Sequence, residues 1–442
     1  MSHTPTPTAD ALAPFWMPFT ANRSFKERPR LFTGARGMYY RTSDGRQVLD
    51  GIAGLWCVNA GHAQPAIVAA IKAQAEQLDY ISSFQMSHPA AFELAARLAS
   101  LAPGDLRHVF FTNSGSEAVD TALKIARGYH RARGETARTK LIGRARGYHG
   151  VGFGGVSVGG IGRHKRDFGP LLPDVDHLSL PYDPTRSSFS RGQPSAGAEY
   201  ADELSSLIAL HGEGTIAAVI VEPVTGSGGV FPPPQGYLRR LRELCTRHGI
   251  LLIFDEVITG FGRVGRSFAA ELFGVVPDLI VCAKGMTNGA VPMGAALVSS
   301  EVFDAYMGKP SDQIEFPHGY TYSAHPLACA AALAALDVYR DQQLFERAAE
   351  LAGTWQEAVH SLRGMPFVTD IRNVGLLAAI DLAPLEGAPG ARGVALNQAC
   401  FAADVLIRTA GDTVLLSPPL VISSSEIARL IETITAGLRT MS

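Results

Sequence analysis

Two apolar patterns alternate along this chain. At 65–78 (PAIVAAIKAQAEQL) and 89–101, apolar residues recur at helical spacing behind a proline. A proline at the first helical position loses no hydrogen bond, so both segments are predicted helices. Short runs without polar alternation follow: 108–112 (HVFFT), 140–145 (KLIGRA), 216–223 (IAAVIVEP), 250–257 (ILLIFDEV), 278–284 (DLIVCAK) and 294–299 (GAALVS). Runs of this kind suit strands covered on both faces, the mark of a mostly parallel sheet. Helical segments at 117–133 and 236–247 stand between them, which predicts a doubly wound α/β domain. From about His325 the pattern changes to two long helices, then 368–382, another helix and 405–420. A last helix opens with Ser423-Ser424-Ser425-Glu426, a capping-box sequence. This part reads as a smaller α+β lobe. The stretch 183–197 is rich in Pro, Gly and Ser and reads as a solvated loop.

Composition narrows the picture. The chain has 442 residues, 46% hydrophobic and 18% charged, which excludes a disordered polymer. Lys and Arg number 39 against 41 acids, and the pI is near 6.7, so there is no basic field for nucleic acid or an anionic membrane. No apolar run approaches the roughly 20 residues of a membrane helix, and 328–338 is a short, Ala-rich core helix. The first residues lack the basic and apolar regions of an export signal. Five scattered cysteines form no C-x-x-C pair, which points away from zinc and disulfides and toward a reducing cytoplasm.

Three strand ends carry candidate chemistry. The run 250–254 ends in Asp255-Glu256, and 278–283 ends in Lys284. HVFFT runs into Asn113-Ser114-Gly115-Ser116-Glu117 ahead of a helix. Each has an ordinary explanation: a lysine reaching solvent, a strand-end carboxylate, a simple N-cap. Together they offer a desolvated amine, an acid and a helix N-terminus that binds anions. Pyridoxal 5′-phosphate uses all three, through its aldehyde, its ring nitrogen and its phosphate.

The segments FFTNSGSEAVDTALKIAR, LLIFDEVITGFGRVGRSFAAELFGVVPDLIVCAKGMTNGAVPMGA and HGYTYSAHPLACAAALAAL strongly resemble class III (ω-) aminotransferases of PLP fold type I. The likeness runs from about Phe15 to the last helix and is nearest to the ω-amino acid–pyruvate (β-alanine–pyruvate) enzymes. It implies a large domain at 65–324 and a small domain built from both chain ends, 1–64 and 325–442. It also implies Lys284 as the Schiff-base lysine and Asp255 as partner of the ring nitrogen. Gly115 and Ser116 would bind the phosphate, Tyr148 and Val257 would take opposite ring faces, and Glu222 would stand near the ring hydroxyl. Thr321 would reach the phosphate of a neighbouring subunit, making a homodimer or a homotetramer with shared sites. Arg408 would take a substrate carboxylate, and Trp56, Phe19 and Phe84 would form aromatic walls. Related 2-oxoglutarate enzymes carry a gating glutamate where this chain has Ser227, which favours pyruvate as acceptor. A second carboxylate on the substrate finds no dedicated partner in the sequence.

Other readings were weighed. Gly155-Val156-Ser157-Val158-Gly159 matches the nucleophile elbow of serine hydrolases, but the residues after it are poor helix formers. Gly150-x-Gly152-x-x-Gly155 matches a dinucleotide fingerprint and is expected to open no helix. His149 and His318 show no metal-ligand spacing. A non-catalytic binding protein on the same fold would not need both Lys284 and Asp255. Within class III, a 4-aminobutyrate or broad amine transaminase is the alternative.

Overall fold

The computed structural model describes residues 9–441. Three short strands come first: β1 (Phe32–Arg36), β2 (Tyr39–Thr42) and β3 (Gln47–Asp50). The central strands are β4 (His108–Thr112), β5 (Lys140–Arg144), β6 (Val175–Leu178), β7 (Ile216–Val221), β8 (Leu251–Asp255), β9 (Leu279–Cys282) and β10 (Gly294–Val298). The last five are β11 (Val368–Val374), β12 (Leu377–Leu382), β13 (Val405–Leu406), β14 (Arg408–Ala410) and β15 (Thr413–Leu416).

The central sheet has seven strands in the order β4-β10-β9-β8-β7-β5-β6. All residues of β7, β8, β9 and β10 are buried, as expected of apolar runs covered on both faces. Pairing is parallel from β6 to β9, while β10 runs antiparallel to both its neighbours. The connection from β9 to β10 holds one short turn, Lys284–Thr287, and no crossover helix, so the chain returns in the opposite direction. Strand β6 (VDHL) was not among the predicted runs; it is a short edge strand with one buried residue.

The helices follow the sequence pattern closely. Pro65–Gln77 and Pro89–Leu101 start at their prolines. The helix predicted at 117–133 spans Gly115–Ala132, two residues earlier, because Ser114 is its N-cap: Ser114 Oγ accepts from Glu117 N. Ser423 and Glu426 form the expected capping box on Ser424–Thr440. The predicted loop at 183–197 contains one short helix, Pro184–Ser187, whose N-cap Asp183 accepts from Thr185 N.

Both chain ends meet in one sheet, because β13 pairs in parallel with β3. A second antiparallel sheet runs β11-β12-β15-β14 and carries Arg408 at the start of β14. No helix among the described residues is long and apolar enough to cross a membrane.

Candidate active site

The ends of β4, β8 and β9, which the sequence singles out, converge on one cavity of about 250 Å³. Its lining includes Gly115, Ser116, Tyr148, His149, Glu222, Asp255, Val257, Lys284, Trp56, Phe19 and Arg408. This is where an open α/β sheet binds its ligand, beyond the carboxyl ends of its strands.

Lys284 leaves β9 in a left-handed backbone conformation, φ 48°, which a non-glycine residue adopts only when its surroundings hold it. Burial is the main cause of a lowered ammonium pKa, partly offset by Cys57, Asp255 and Glu222. The lysine does not escape to solvent. It sits inside the cavity with Nζ 5.5 Å from the Trp56 ring centre.

Asp255 is 5% exposed and doubly fixed. Its Oδ2 lies 2.8 Å from His149 Nδ1, and its Oδ1 accepts from Val257 N at 3.1 Å. The next residue points the other way. Glu256 is fully buried and accepts from Ala269 N, Ala270 N and Thr259 Oγ1, while burial pushes its carboxyl up to about 7. Alternation along an extended chain thus gives one carboxylate to the cavity and one to the core. Glu222 holds the loops together: Oε1 accepts from Tyr148 N at 2.9 Å and Oε2 from Gly226 N at 2.8 Å. Burial raises its pKa.

Ser114 proves to be the ordinary N-cap, yet Gly115 and Ser116 still face the cavity. The first N–H groups of a helix have no intrahelical acceptor, and its dipole favours an anion there. Gly115 cannot carry a side chain, since a Cβ would stand 2.9 Å from a Val257 methyl. Gly150, at φ +91°, passes so close to Ser116 that a Cβ would lie 2.6 Å from its Cα. These contacts hold the 148–151 loop against the helix start, where Ser116 Oγ accepts from Val151 N.

The other end of the cavity is cationic and open. Arg408 Cζ lies 5.6 Å from the Trp56 ring centre, so this buried indole has two cations near its ring. Burial and the charge of Arg163 lower the pKa of Arg408. Among the described residues no carboxylate pairs with Arg408 or Arg163. Arg163, which was not singled out in the sequence, lines the same cavity. Phe19 also lines the cavity but is 71% exposed.

Two residues do not reach the cavity of their own chain. Phe84 is exposed and packs at Gly319, and Thr321 is exposed with its carbonyl accepting from Tyr80 Oη at 3.0 Å. His149 was missed as a partner of Asp255, although it follows Tyr148 in the same RGYHG motif. His318 instead bonds Thr121 Oγ1 at 2.9 Å.

The hydrolase motif has a structural use. Ser157 sits inside the helix Phe153–Val158 rather than ahead of it; Oγ donates to Phe153 O and accepts from Leu172 N. The expectation that 150–155 opens no helix is corrected, because Gly152 caps this short one. Its Gly155 N–H is already taken by Asp120 Oδ1 at 2.8 Å, so the turn is no phosphate cradle. Among the described residues no cluster of His, Cys, Asp and Glu could hold a metal.

The donor set fits pyridoxal phosphate: a desolvated amine for an aldehyde, a fixed carboxylate for a ring nitrogen, and a helix start for a phosphate. Residues 20–438 match the family described as aminotransferase class-III. An omega-aminotransferase of Caulobacter vibrioides is 57% identical over 96% of this chain and 97% of its own length. A beta-alanine–pyruvate aminotransferase of Pseudomonas aeruginosa is 49% identical over 96% of this chain and 95% of its own. An amine transaminase from an uncultivated Pseudomonas species, solved in its PLP-bound form, superposes with a TM-score of 0.89 at 38% identity, covering 97% of this chain and 99% of that one.

Proposed function

Because the chain belongs to the class-III aminotransferases, whose cofactor is pyridoxal 5′-phosphate, we propose that it moves an amino group from an ω-amino acid or amine, β-alanine foremost, to pyruvate. The products are the aldehyde or ketone of the donor and L-alanine. One observation carries this reading: Lys284, Asp255 and the Gly115–Ser116 helix start face a single cavity whose far end holds an unpaired Arg408.

When bound, the cofactor supplies a carbonyl that condenses with amines and a ring that takes up the electron pair left when a proton departs. The protein's residues do the rest. Lys284, favoured in its neutral form by burial, is the nucleophile that holds the cofactor. The same Nζ, when free, would be the group that moves the proton from the amine-bearing carbon of the donor. Asp255, fixed by His149 and the Val257 N–H, would keep a proton on the ring nitrogen. Gly115 and Ser116 would bind the phosphate, and Glu222, which ties down the loop that presents Tyr148, would stand near the ring hydroxyl. Tyr148 and Val257, both in the cavity lining, would take the two ring faces, and Trp56 and Phe19 would wall the substrate end. Arg408 takes the carboxylate of pyruvate or of the donor through paired charge-assisted hydrogen bonds. Pyruvate is favoured as acceptor because Ser227 replaces the carboxylate that would gate Arg408.

A homodimer with shared sites accounts for Phe84 and Thr321. Both are exposed and lie beside Tyr80 and Tyr322, from where they would reach the cavity of a second copy. The proposed division is a cofactor domain at 65–324 and a small domain from 1–64 and 325–442, in keeping with the β3–β13 pairing. Five free cysteines suit the cytoplasm. A panel of amines assayed with pyruvate and with 2-oxoglutarate tests the reading. Alanine should form fastest from β-alanine and related ω-amino acids; faster turnover with 2-oxoglutarate would refute the acceptor assignment.

A further inference from the structure

The turn Gly162–His164 forms one side of the open end of the cavity and carries Arg163. It is held from two directions. The His164 ring stands 5.3 Å from Phe19 and 5.7 Å from Tyr148, centre to centre. Lys165, the next residue, bonds through Nζ to Ser157 O and to His177 Nε2, each at 2.9 Å. Arg163 is therefore placed by its neighbours.

Its guanidinium has little to bind within the chain. Nε donates to His164 Nε2 at 3.4 Å, and no carboxylate among the described residues pairs with it. Arg408 is in the same condition, and its charged neighbour is Arg163 itself. Two like charges facing one cavity repel, and an anion bound between them relieves that repulsion. The cavity's own acids cannot serve, because Asp255 is held by His149 and Glu222 by two backbone N–H groups. A ligand carboxylate entering the cavity therefore meets two arginines that no acid of the cavity already holds. Lys284 and Arg408 both lie near the Trp56 ring, whereas Arg163 sits on the turn that packs against Phe19 and Tyr148, and Phe19 is mostly in solvent.

We propose that Arg163 is a second carboxylate-binding residue, which reads substrates whose carboxylate lies farther from the reacting carbon than pyruvate's does. This rests on the aminotransferase reading above. Pyruvate, with its carboxylate next to the reacting carbon, engages Arg408. As the donor lengthens from β-alanine to 4-aminobutyrate and 6-aminohexanoate, its carboxylate passes from Arg408 toward Arg163. An amine without a carboxylate engages neither.

The test is Arg163→Gln, which keeps a polar side chain on the turn. Donor half-reactions should show a loss of roughly 10-fold in kcat/KM for 4-aminobutyrate and 6-aminohexanoate, carried by KM. 1-Phenylethylamine and the pyruvate half-reaction should be unchanged, and Arg163→Lys should recover part of the loss. Calorimetric titration of the holoenzyme should show weaker glutarate binding in the Gln variant and unchanged propanoate binding. Equal losses for 1-phenylethylamine and 6-aminohexanoate, or unchanged kinetics and glutarate binding, would overturn the proposal. If the native enzyme used 1-phenylethylamine but no ω-amino acid, the donor assignment would fail instead, and the glutarate titration would still decide the role of Arg163.

Discussion

The two ends of the cavity are built on different principles. At the Lys284 end both carboxylates are fixed twice, Asp255 by His149 and Val257 and Glu222 by Tyr148 and Gly226, and Gly115 sits in a contact that admits no side chain. At the Arg408 end the two arginines have no carboxylate partner among the described residues and repel each other, and Phe19 is mostly in solvent. Catalytic groups gain from preorganisation, because each displacement costs rate. A substrate end that must accept a ketoacid and amines of several lengths gains from open space and long side chains. On the proposed function, chemistry belongs to the first end and selectivity to the second.

The largest expected effect comes from removing the amine. Lys284→Ala should lose transamination altogether while keeping part of its cofactor affinity through Ser116 and Asp255. In the native protein, borohydride followed by peptide mapping should place the reduced cofactor on Lys284; a label on Lys140 or elsewhere would move the catalytic end.

Next comes Asp255→Asn, which preserves shape and removes charge. Turnover should fall by roughly three orders of magnitude or more, as expected when a preorganised charge at a reacting centre is removed. Near-native steady-state rates would make this carboxylate structural and weaken the contrast between the two ends.

Arg408→Ala should act on a smaller scale and selectively. Loss of a charge-assisted hydrogen-bond pair costs about 2–3 kcal/mol, which kcat/KM should show for pyruvate and β-alanine. The loss is not expected for 1-phenylethylamine in its donor half-reaction.

The smallest effect sharpens the contrast within one dipeptide. Glu256 points to the core, and burial raises its carboxyl from 4.5 to about 7. A raised acid pKa gives stability that is fully present below the unfolded value and is lost as pH rises through the folded one. Native protein should therefore lose part of its stability between pH 4.5 and about 7, and Glu256→Gln should flatten that portion of a urea-midpoint profile. An unchanged profile would mean that the three donors around Glu256 keep it ionised.

How much of this was legible in the sequence follows the same division. Continuous apolar runs gave away β7 to β10, because strands buried on both faces leave no room for polar alternation. Lys284 and Asp255 stood out as charges ending such runs. Strand β6 was hidden because four residues at an edge, only one of them buried, carry no strong pattern. His149 was obscured since its partner is 106 positions away and no local spacing reports a pair of that kind. Arg163 lay in a Gly-rich polar stretch that reads as loop, and only the packing of His164 on Phe19 and Tyr148 gives it a place. Phe84 and Thr321 stand apart from the cavity of their own chain, a placement that sequence spacing does not reveal.

The division of labour between the two ends can be tested in one measurement: single-turnover conversion of the bound cofactor, followed by absorbance, for β-alanine and 1-phenylethylamine in Asp255→Asn and in Arg408→Ala. The account predicts that Asp255→Asn slows both donors by the same factor, whereas Arg408→Ala slows β-alanine and leaves 1-phenylethylamine at the native rate. A uniform loss in Arg408→Ala, or a donor-dependent loss in Asp255→Asn, would contradict it.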